Sequence, residues 1–277
     1  MPLESPPEAG AIWFNNWALD ASIAGKTTER ALYPATNLLS PHRSETWRST
    51  NATTDQYVSF DLGSAKLPTC FALTDVNFDA GATVLLYGTD DSAGLVNVVR
   101  WDFPLYPQDD VSKVLRWYLG TPTPGWGPAG VRRFWRVWLS PGTYGPYGTD
   151  EDLFEIGSVF LGDYTAITPN QGVRISPNDP SDRQRAYGRA QWSDPIRPYH
   201  EIDLTVADMT FAEFYTLKRK VAAQGSKHAI LDVHAYSTDP IVKGGGCFYG
   251  YFSDSQTGTL EAPELNDLRI SFEEASG

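Results

Sequence analysis

Sulfur is scarce in this chain: its 277 residues hold two cysteines and two methionines. A scaffold stapled by several disulfides is therefore excluded. Cys70 and Cys247 each sit in an apolar setting, the first beside Phe71 and the second beside Phe248 and Tyr249. They read as buried reduced thiols, with pairing between them left open. Positive charge is short as well, with 22 Lys and Arg against 34 Asp and Glu and a net charge of -12. A nucleic-acid binder carries a basic face, so nucleic acid is not an expected partner. Long apolar runs are missing: nothing approaches the roughly 18–20 residues of a membrane-spanning helix, and no membrane insertion is expected. Residues Met1–Glu8 are acidic and rich in proline, without a basic or an apolar region, so a secretory signal is not expected.

Histidine is also rare. His42, His200, His228 and His234 are the four, and none has a histidine four residues on. His228 and His234 are six apart across an expected strand, too far apart along it to share an ion, so neither a metal site nor a cofactor is expected. No phosphate-binding loop and no nucleophile elbow occurs. Gly125, Gly127 and Gly130 have the spacing of a dinucleotide fingerprint, but Pro and Gly precede them and a strand follows, where the motif needs a strand before and a helix after. This stretch reads as a loop. Asp150, Glu151, Asp152 and Glu155 offer carboxylates for a hydrolase without a defined geometry, and a solvated acidic turn is the favoured reading. Asn51-Ala52-Thr53 has the form of a glycosylation sequon, which carries no weight without a secretory route.

What the chain has in quantity is aromatic residues (13%, with nine Trp), together with 24 Gly and 20 Pro spread along its length. Many short strands joined by Gly/Pro turns give that composition. Tyr57–Gly63, Phe71–Phe78 and Ala82–Tyr87 read as strands. Arg132–Leu139 is the plainest: Trp135, Val137 and Leu139 share one face, and Phe134, Arg136 and Trp138 the other. It is expected to close the first unit, followed by a strand over Phe154–Gly162. Residues 163–182 are rich in Pro, Asn, Asp and Gly and read as a linker between a unit over 1–162 and another over 183–277. In the second unit Arg185–Trp192 and Tyr199–Val206 read as a hairpin-like pair. A helix over about 210–224 opens with a capping box at Thr210 and Glu213, carries a stripe of Phe211, Phe214, Leu217 and Val221, has Lys218–Lys220 near its end, and stops at Gly225. Strands at Ala229–Tyr236, Cys247–Phe252 and Leu265–Phe272 complete a β-β-α-β-β-β order. The fold class is mainly β, a β-sandwich followed by an α+β module.

Several of these residues carry a resemblance. Trp47, the run Tyr57, Phe60, Asp61, Leu62 and Gly63, the strand Arg133–Trp138, and the pair of endings Glu155-Ile156-Gly157 and Leu161-Gly162 resemble discoidin-type, galactose-binding-like domains. With Tyr33-Pro34-Ala35, Asn37 and Leu38 in front, the form is similar to that in tail proteins of long-tailed bacteriophages. The resemblance spans residues 12–162 and implies a jelly-roll β-sandwich. Such domains commonly clamp their termini with cysteines, and Cys70 lies inside the domain instead. By element order alone, the second half resembles, loosely, modules of tail-tube, hub and distal tail proteins.

The resemblance implies a non-enzymatic structural component of a phage tail tip or baseplate, located in the virion after assembly in the host cytoplasm. Its partners would be tail-tube, hub and tape-measure proteins, within a homo-oligomeric ring. Contact with a host-surface glycan is a further implication. The alternatives are a carbohydrate-binding lectin-type module and a hydrolase. The candidate binding residues are Trp126, Tyr144 and Tyr147, because they lie in Gly/Pro loops where flat amphipathic rings protrude to stack on a sugar or anchor a protein contact. The competing role for those rings is to fold back over the outer face of Arg132–Leu139.

Overall fold

A computed structural model describes residues 10–42, 45–77, 82–93, 96–104, 114–125, 127–141, 153–168, 173–178, 182–185, 191–194, 199–225, 227–234, 246–253, 257–262 and 265–275. Within them the chain is mainly β. In order it forms β1 (Gly10–Phe14), β2 (Ser22–Lys26), β3 (Trp47–Arg48), β4 (Gln56–Lys66), β5 (Cys70–Thr74), β6 (Thr83–Thr89), β7 (Val99–Pro104), β8 (Val114–Tyr118) and β9 (Arg132–Ser140). There follow β10 (Glu155–Ile156), β11 (Ser158–Ile167), β12 (Arg174–Asn178), β13 (Asp182–Arg185), β14 (Gln191–Asp194) and β15 (Tyr199–Met209). The helix α1 (Phe211–Gln224) precedes β16 (Ala229–Asp232), β17 (Cys247–Phe252), β18 (Thr257–Ala262) and β19 (Leu265–Glu274).

The first half is a β-sandwich. A five-stranded antiparallel sheet, ordered β2-β4-β9-β6-β7, packs over β11, β5 and β8. Alternation decides what faces inward: Phe60, Trp135 and Leu86 on one sheet meet Phe71, Trp117 and Leu161 on the other in one buried cluster. Rings dominate this core, with Phe103 stacked on Trp117 at 4.6 Å and Trp101 on Trp135 at 6.0 Å between centroids. The aromatic strand β9 was expected to close this unit. It lies instead at the centre of its sheet, paired with β4 on one side and β6 on the other. Bulk on both faces suits that position, since a central strand has neighbours to pack against on each side.

The two halves share a sheet. Ten strands follow the order β12-β15-β19-β17-β16-β1-β11-β5-β8, with β18 joined to β19. β1 is the seam: it pairs with β11 on one edge and with β16 on the other. The stretch 163–182, expected as a linker, contains the last residues of β11, all of β12 and the start of β13. The expected pairing of Arg185–Trp192 with Tyr199–Val206 is replaced. β13 and β14 pair with each other, while β15 pairs with β12 and β19.

The large sheet borders two further buried clusters. On one face of its second half, Ile202, Leu204, Leu231 and Phe272 pack against α1 through Phe214, Leu217 and Val221. The helix carries its capping box, with Thr210 Oγ1 accepting from the Glu213 N–H at 3.3 Å and the Glu213 carboxylate accepting from the Thr210 N–H at 2.9 Å. Two expectations for α1 are corrected. Phe211 is exposed rather than part of the buried stripe, and the last turn contains no basic residue, because Lys218–Lys220 end one turn too early.

On the opposite face, β8 returns toward β17 and encloses Trp13, Tyr118, Phe160, Cys70, Cys247 and Tyr249. Both cysteines are buried, and no disulfide joins them. A charged pair crosses this interior: Arg116 donates from Nε to Asp232 Oδ2 at 2.6 Å and from a terminal nitrogen to Oδ1 at 3.1 Å. Tyr118 donates to the same carboxylate at 3.0 Å, and Trp13 Nε1 donates to the Tyr118 hydroxyl at 3.3 Å. Burial and the Asp232 charge together push the Tyr118 hydroxyl far above its ordinary value, so it stays a donor. Arg116 and Tyr118 belong to the first half and Asp232 to the second, so this network fixes the halves to each other.

Close approaches make glycine obligatory in places. A Cβ at Gly250 of β17 would stand 1.9 Å from the Glu273 carbonyl oxygen of β19. That neighbour is backbone and has nowhere to move. Gly250→Ala is expected to lower stability by about 1–3 kcal/mol or more through β17–β19 separation, read as a fall in urea midpoint.

Candidate functional site

The outward face of the five-stranded sheet carries the most distinctive constellation in the molecule. In β9, Trp135, Val137 and Leu139 are buried inward, which turns Phe134, Arg136 and Trp138 outward, each half-buried. Register supplies their neighbours. Tyr57 and Leu85 lie directly opposite Trp138, Ser59 and Tyr87 opposite Arg136, and Arg100 opposite Tyr87. Four strands thus contribute to one patch.

The rings interlock. Trp138 stacks on Tyr57 with centroids 5.3 Å apart and planes 16° from parallel, and it meets Tyr87 at 6.0 Å and 59°. The Arg136 guanidinium sits 4.3 Å from the Tyr57 ring centre, and that of Arg100 sits 5.4 Å from the Tyr87 ring centre. Arg136 Nε donates to Ser59 Oγ at 2.7 Å. Burial raises the Tyr87 hydroxyl above its ordinary value, so it remains protonated at neutral pH.

Charge pairing on this face is uneven. Arg100 is bound to Asp102, and Arg133 grips both oxygens of Asp61 at 2.7 Å. Arg132 lies 3.8 Å from Asp90. Arg136 has Ser59, the Ser92 carbonyl at 3.4 Å and the Tyr57 ring, and among the described residues it forms no ion pair. In a chain whose acidic residues outnumber its basic ones by twelve, a half-buried guanidinium held by neutral groups is suited to accept a carboxylate from outside.

The three residues expected as binding candidates, Trp126, Tyr144 and Tyr147, lie outside the described residues, as do Asp150–Asp152. Glu155, the remaining carboxylate of the hydrolase reading, is held by Arg48 at 3.2 and 3.1 Å, and its own N–H donates to Asn77 at 2.7 Å. It serves as a strut between β3 and β10. The glycines of the dinucleotide spacing lead into β9, a strand, so no helix N-terminus follows them. Among the described residues no three His, Cys, Asp or Glu are grouped closely enough to hold a metal ion, and no helix is long and apolar enough to cross a membrane. His200 pairs with Glu274 at 2.6 Å, and the His228 ring stacks on Tyr249 at 5.0 Å.

A second titratable cluster lies on the polar face of the other half. Tyr251 donates to Glu273 at 2.5 Å, and its hydroxyl is pushed up to about 12 by burial and then by that carboxylate. A tyrosine raised from 10.0 keeps its proton longer when folded, so its contribution is intact below pH 10 and is lost as pH rises through about 12. Tyr251→Phe is expected to flatten the loss of stability over that interval, as measured by urea midpoints.

The aromatic patch was partly legible. The alternation of β9 assigns Phe134, Arg136 and Trp138 to one face without any structure. Tyr57 and Tyr87 were missed because only strand register brings them beside Trp138.

No known family model matches the chain, and no curated protein matches it significantly. Solved structures resemble it in shape. One is chitosan-binding module 1 of a chitosanase/glucanase from Paenibacillus sp. IK-5, with 14% identity and a TM-score of 0.40, covering 53% of this chain and 98% of that one. Another is the family 32 carbohydrate-binding module of NanJ from C. perfringens, in complex with galactose, with 13% identity, a TM-score of 0.38, and coverage of 56% and 99%. A third is the lectin domain of lectinolysin complexed with Lewis B antigen, with 12% identity, a TM-score of 0.38, and coverage of 55% and 98%. These likenesses are weak, and the β-sandwich is defined by the strand pairings themselves.

Proposed function

We propose that the chain is a non-catalytic binding module whose five-stranded sheet presents an aromatic and cationic face to a saccharide bearing a carboxylate. The observation that carries this reading is Arg136, set between Tyr57, Trp138 and Tyr87 and lacking an acidic partner among the described residues. Interlocked rings form a stiff amphipathic platform for the C–H faces of a sugar, with little side-chain entropy left to lose. Arg136 would take the carboxylate through two parallel N–H donors, and the Tyr87 hydroxyl and Asp102 lie nearby to read sugar hydroxyls.

The test is a glycan array probed with the full chain. Binding concentrated on uronate- or sialate-containing oligosaccharides supports the reading. Equal binding to neutral glycans overturns the role of Arg136, and an empty array overturns the saccharide itself.

A second reading is assembly into a phage tail tip or baseplate, as a ring contacting tail-tube, hub and tape-measure proteins. One observation favours it: the ten-stranded sheet leaves strand edges unpaired among the described residues, a surface through which β proteins join one another. Light scattering on the purified chain tests this. A ring-sized species supports it and a strict monomer speaks against it.

A further inference from the structure

We propose that a groove between β11 and β15 is a docking site for an extended polypeptide segment that carries a basic side chain. The inference stands apart from the saccharide reading and rests on different residues.

Two strand edges face this groove. β11 pairs with β5 only through Ser158–Gly162, whereas its pairing with β1 runs over Asp163–Ile167. The Gly162 carbonyl accepts from the Thr69 N–H at 2.9 Å, and the Tyr164 N–H donates to Thr69 Oγ1 at 3.3 Å. Even-numbered residues of β11 therefore aim their backbone groups away from β1. Past Tyr164, Ala166 and Thr168 aim theirs at no strand among the described residues. On the other side, β12 stops at Arg174 opposite Asp203, so Leu204–Met209 of β15 pair with β19 alone.

Both edges line a single groove of about 380 Å³, floored by Ala212, Glu213, Thr216 and Leu217 of α1. About four residues of extended chain match the length of the exposed β11 edge, at roughly 3.3 Å per residue. A strand laid here would hydrogen-bond to β11 on one side and to β15 on the other, and its alternate side chains would meet Ile167, Val206 and Leu217. Phe211 and Tyr215, one turn apart on α1 and exposed by 40% and 49%, flank the floor residues and extend the apolar surface.

Charge selects the occupant. Of the ionisable groups at the groove, Glu213 is committed to the helix cap, and Lys220 to Thr165 at 2.8 Å and Asp163 at 3.7 Å. Asp208 has no ion pair among the described residues and sits at the β15 bulge with φ 57°. A bulge and an edge carboxylate keep strands from pairing indiscriminately. They leave one condition for entry, a Lys or Arg opposite Asp208.

The test uses the full chain and an acetylated nonapeptide that alternates valine and threonine around a central lysine. Expected results are saturable binding, new hydrogen-exchange protection at the Ala166 and Thr168 amides, and affinity about tenfold lower for Asp208→Asn, the loss of one charge-assisted pair. Asparagine tolerates positive φ, so that variant keeps the backbone. Circular dichroism confirms its fold, and its glycan binding should be unchanged. Three results would overturn the proposal: equal affinity for the peptide N-methylated at alternate amides, equal affinity with glutamate in place of lysine, or protection of Ala166 and Thr168 in a dimer of the chain without peptide.

Discussion

Asp232→Ala is expected to destabilise the protein by about 3–5 kcal/mol, enough to unfold a large share of it at 37 °C. The reason is asymmetry. Arg116 is almost wholly buried, and its charge is compensated by Asp232 through two hydrogen bonds. Removing the carboxylate leaves a guanidinium in a dry interior lined by Trp13, Phe160 and Ile230, and leaves the Tyr118 hydroxyl without its acceptor. The pair itself contributes little net stability, because desolvating two charges nearly offsets their attraction. The double replacement Arg116→Met with Asp232→Leu is therefore expected to fall within about 2 kcal/mol of the parent or above it. Urea unfolding of the three proteins checks this. The single variant should also lose cooperation between the halves, because the network spans β8 and β16 on either side of the β1 seam. Two resolved transitions, where the parent shows one, would report that loss.

Trp138→Ala is expected to weaken saccharide binding by about thirtyfold or more while lowering stability only modestly. Trp138 is half-buried and its ring packs mainly on Tyr57 and Tyr87, so truncation forfeits about 1 kcal/mol of stacking. For binding, the same ring is the centre of the platform, and loss of a central tryptophan commonly costs 2 kcal/mol or more, about thirtyfold in affinity. It also releases Tyr57, whose ring holds Arg136 in place. A retained fold with weakened binding separates a surface role from a structural one.

Local pattern and long-range register contributed unequally to what could be read in advance. The face assignments of β9, the strands near Phe71 and Ala82, β15 and the capped helix were legible, since each rests on a period of two or on a motif within a few residues. β1 was visible only as the cluster Ile12-Trp13-Phe14, because a strand buried on both faces shows no alternation. That it joins residues near 165 to residues near 231 is a matter of pairing across most of the chain, which local sequence does not encode. In the stretch 163–182 Pro and Asn mark turns, yet β12 forms there and pairs with β15, a pairing that local sequence does not show. The binding candidates were sought in loops, where turn residues signal exposure. The patch lies on a sheet face, where Tyr57, Tyr87 and Trp138 converge only once three strands are in register, and Arg116 and Asp232 meet for a similar reason.

The most direct test of the aromatic face is a calorimetric titration of the full chain and of its Trp138→Ala variant with one acidic oligosaccharide selected from the array, with melting curves recorded for both. The proposed function predicts a saturable isotherm for the parent, an affinity lower by about thirtyfold or more for the variant, and melting temperatures within a few degrees of each other. Equal isotherms for the two proteins would contradict it, and would place the binding surface elsewhere on the molecule.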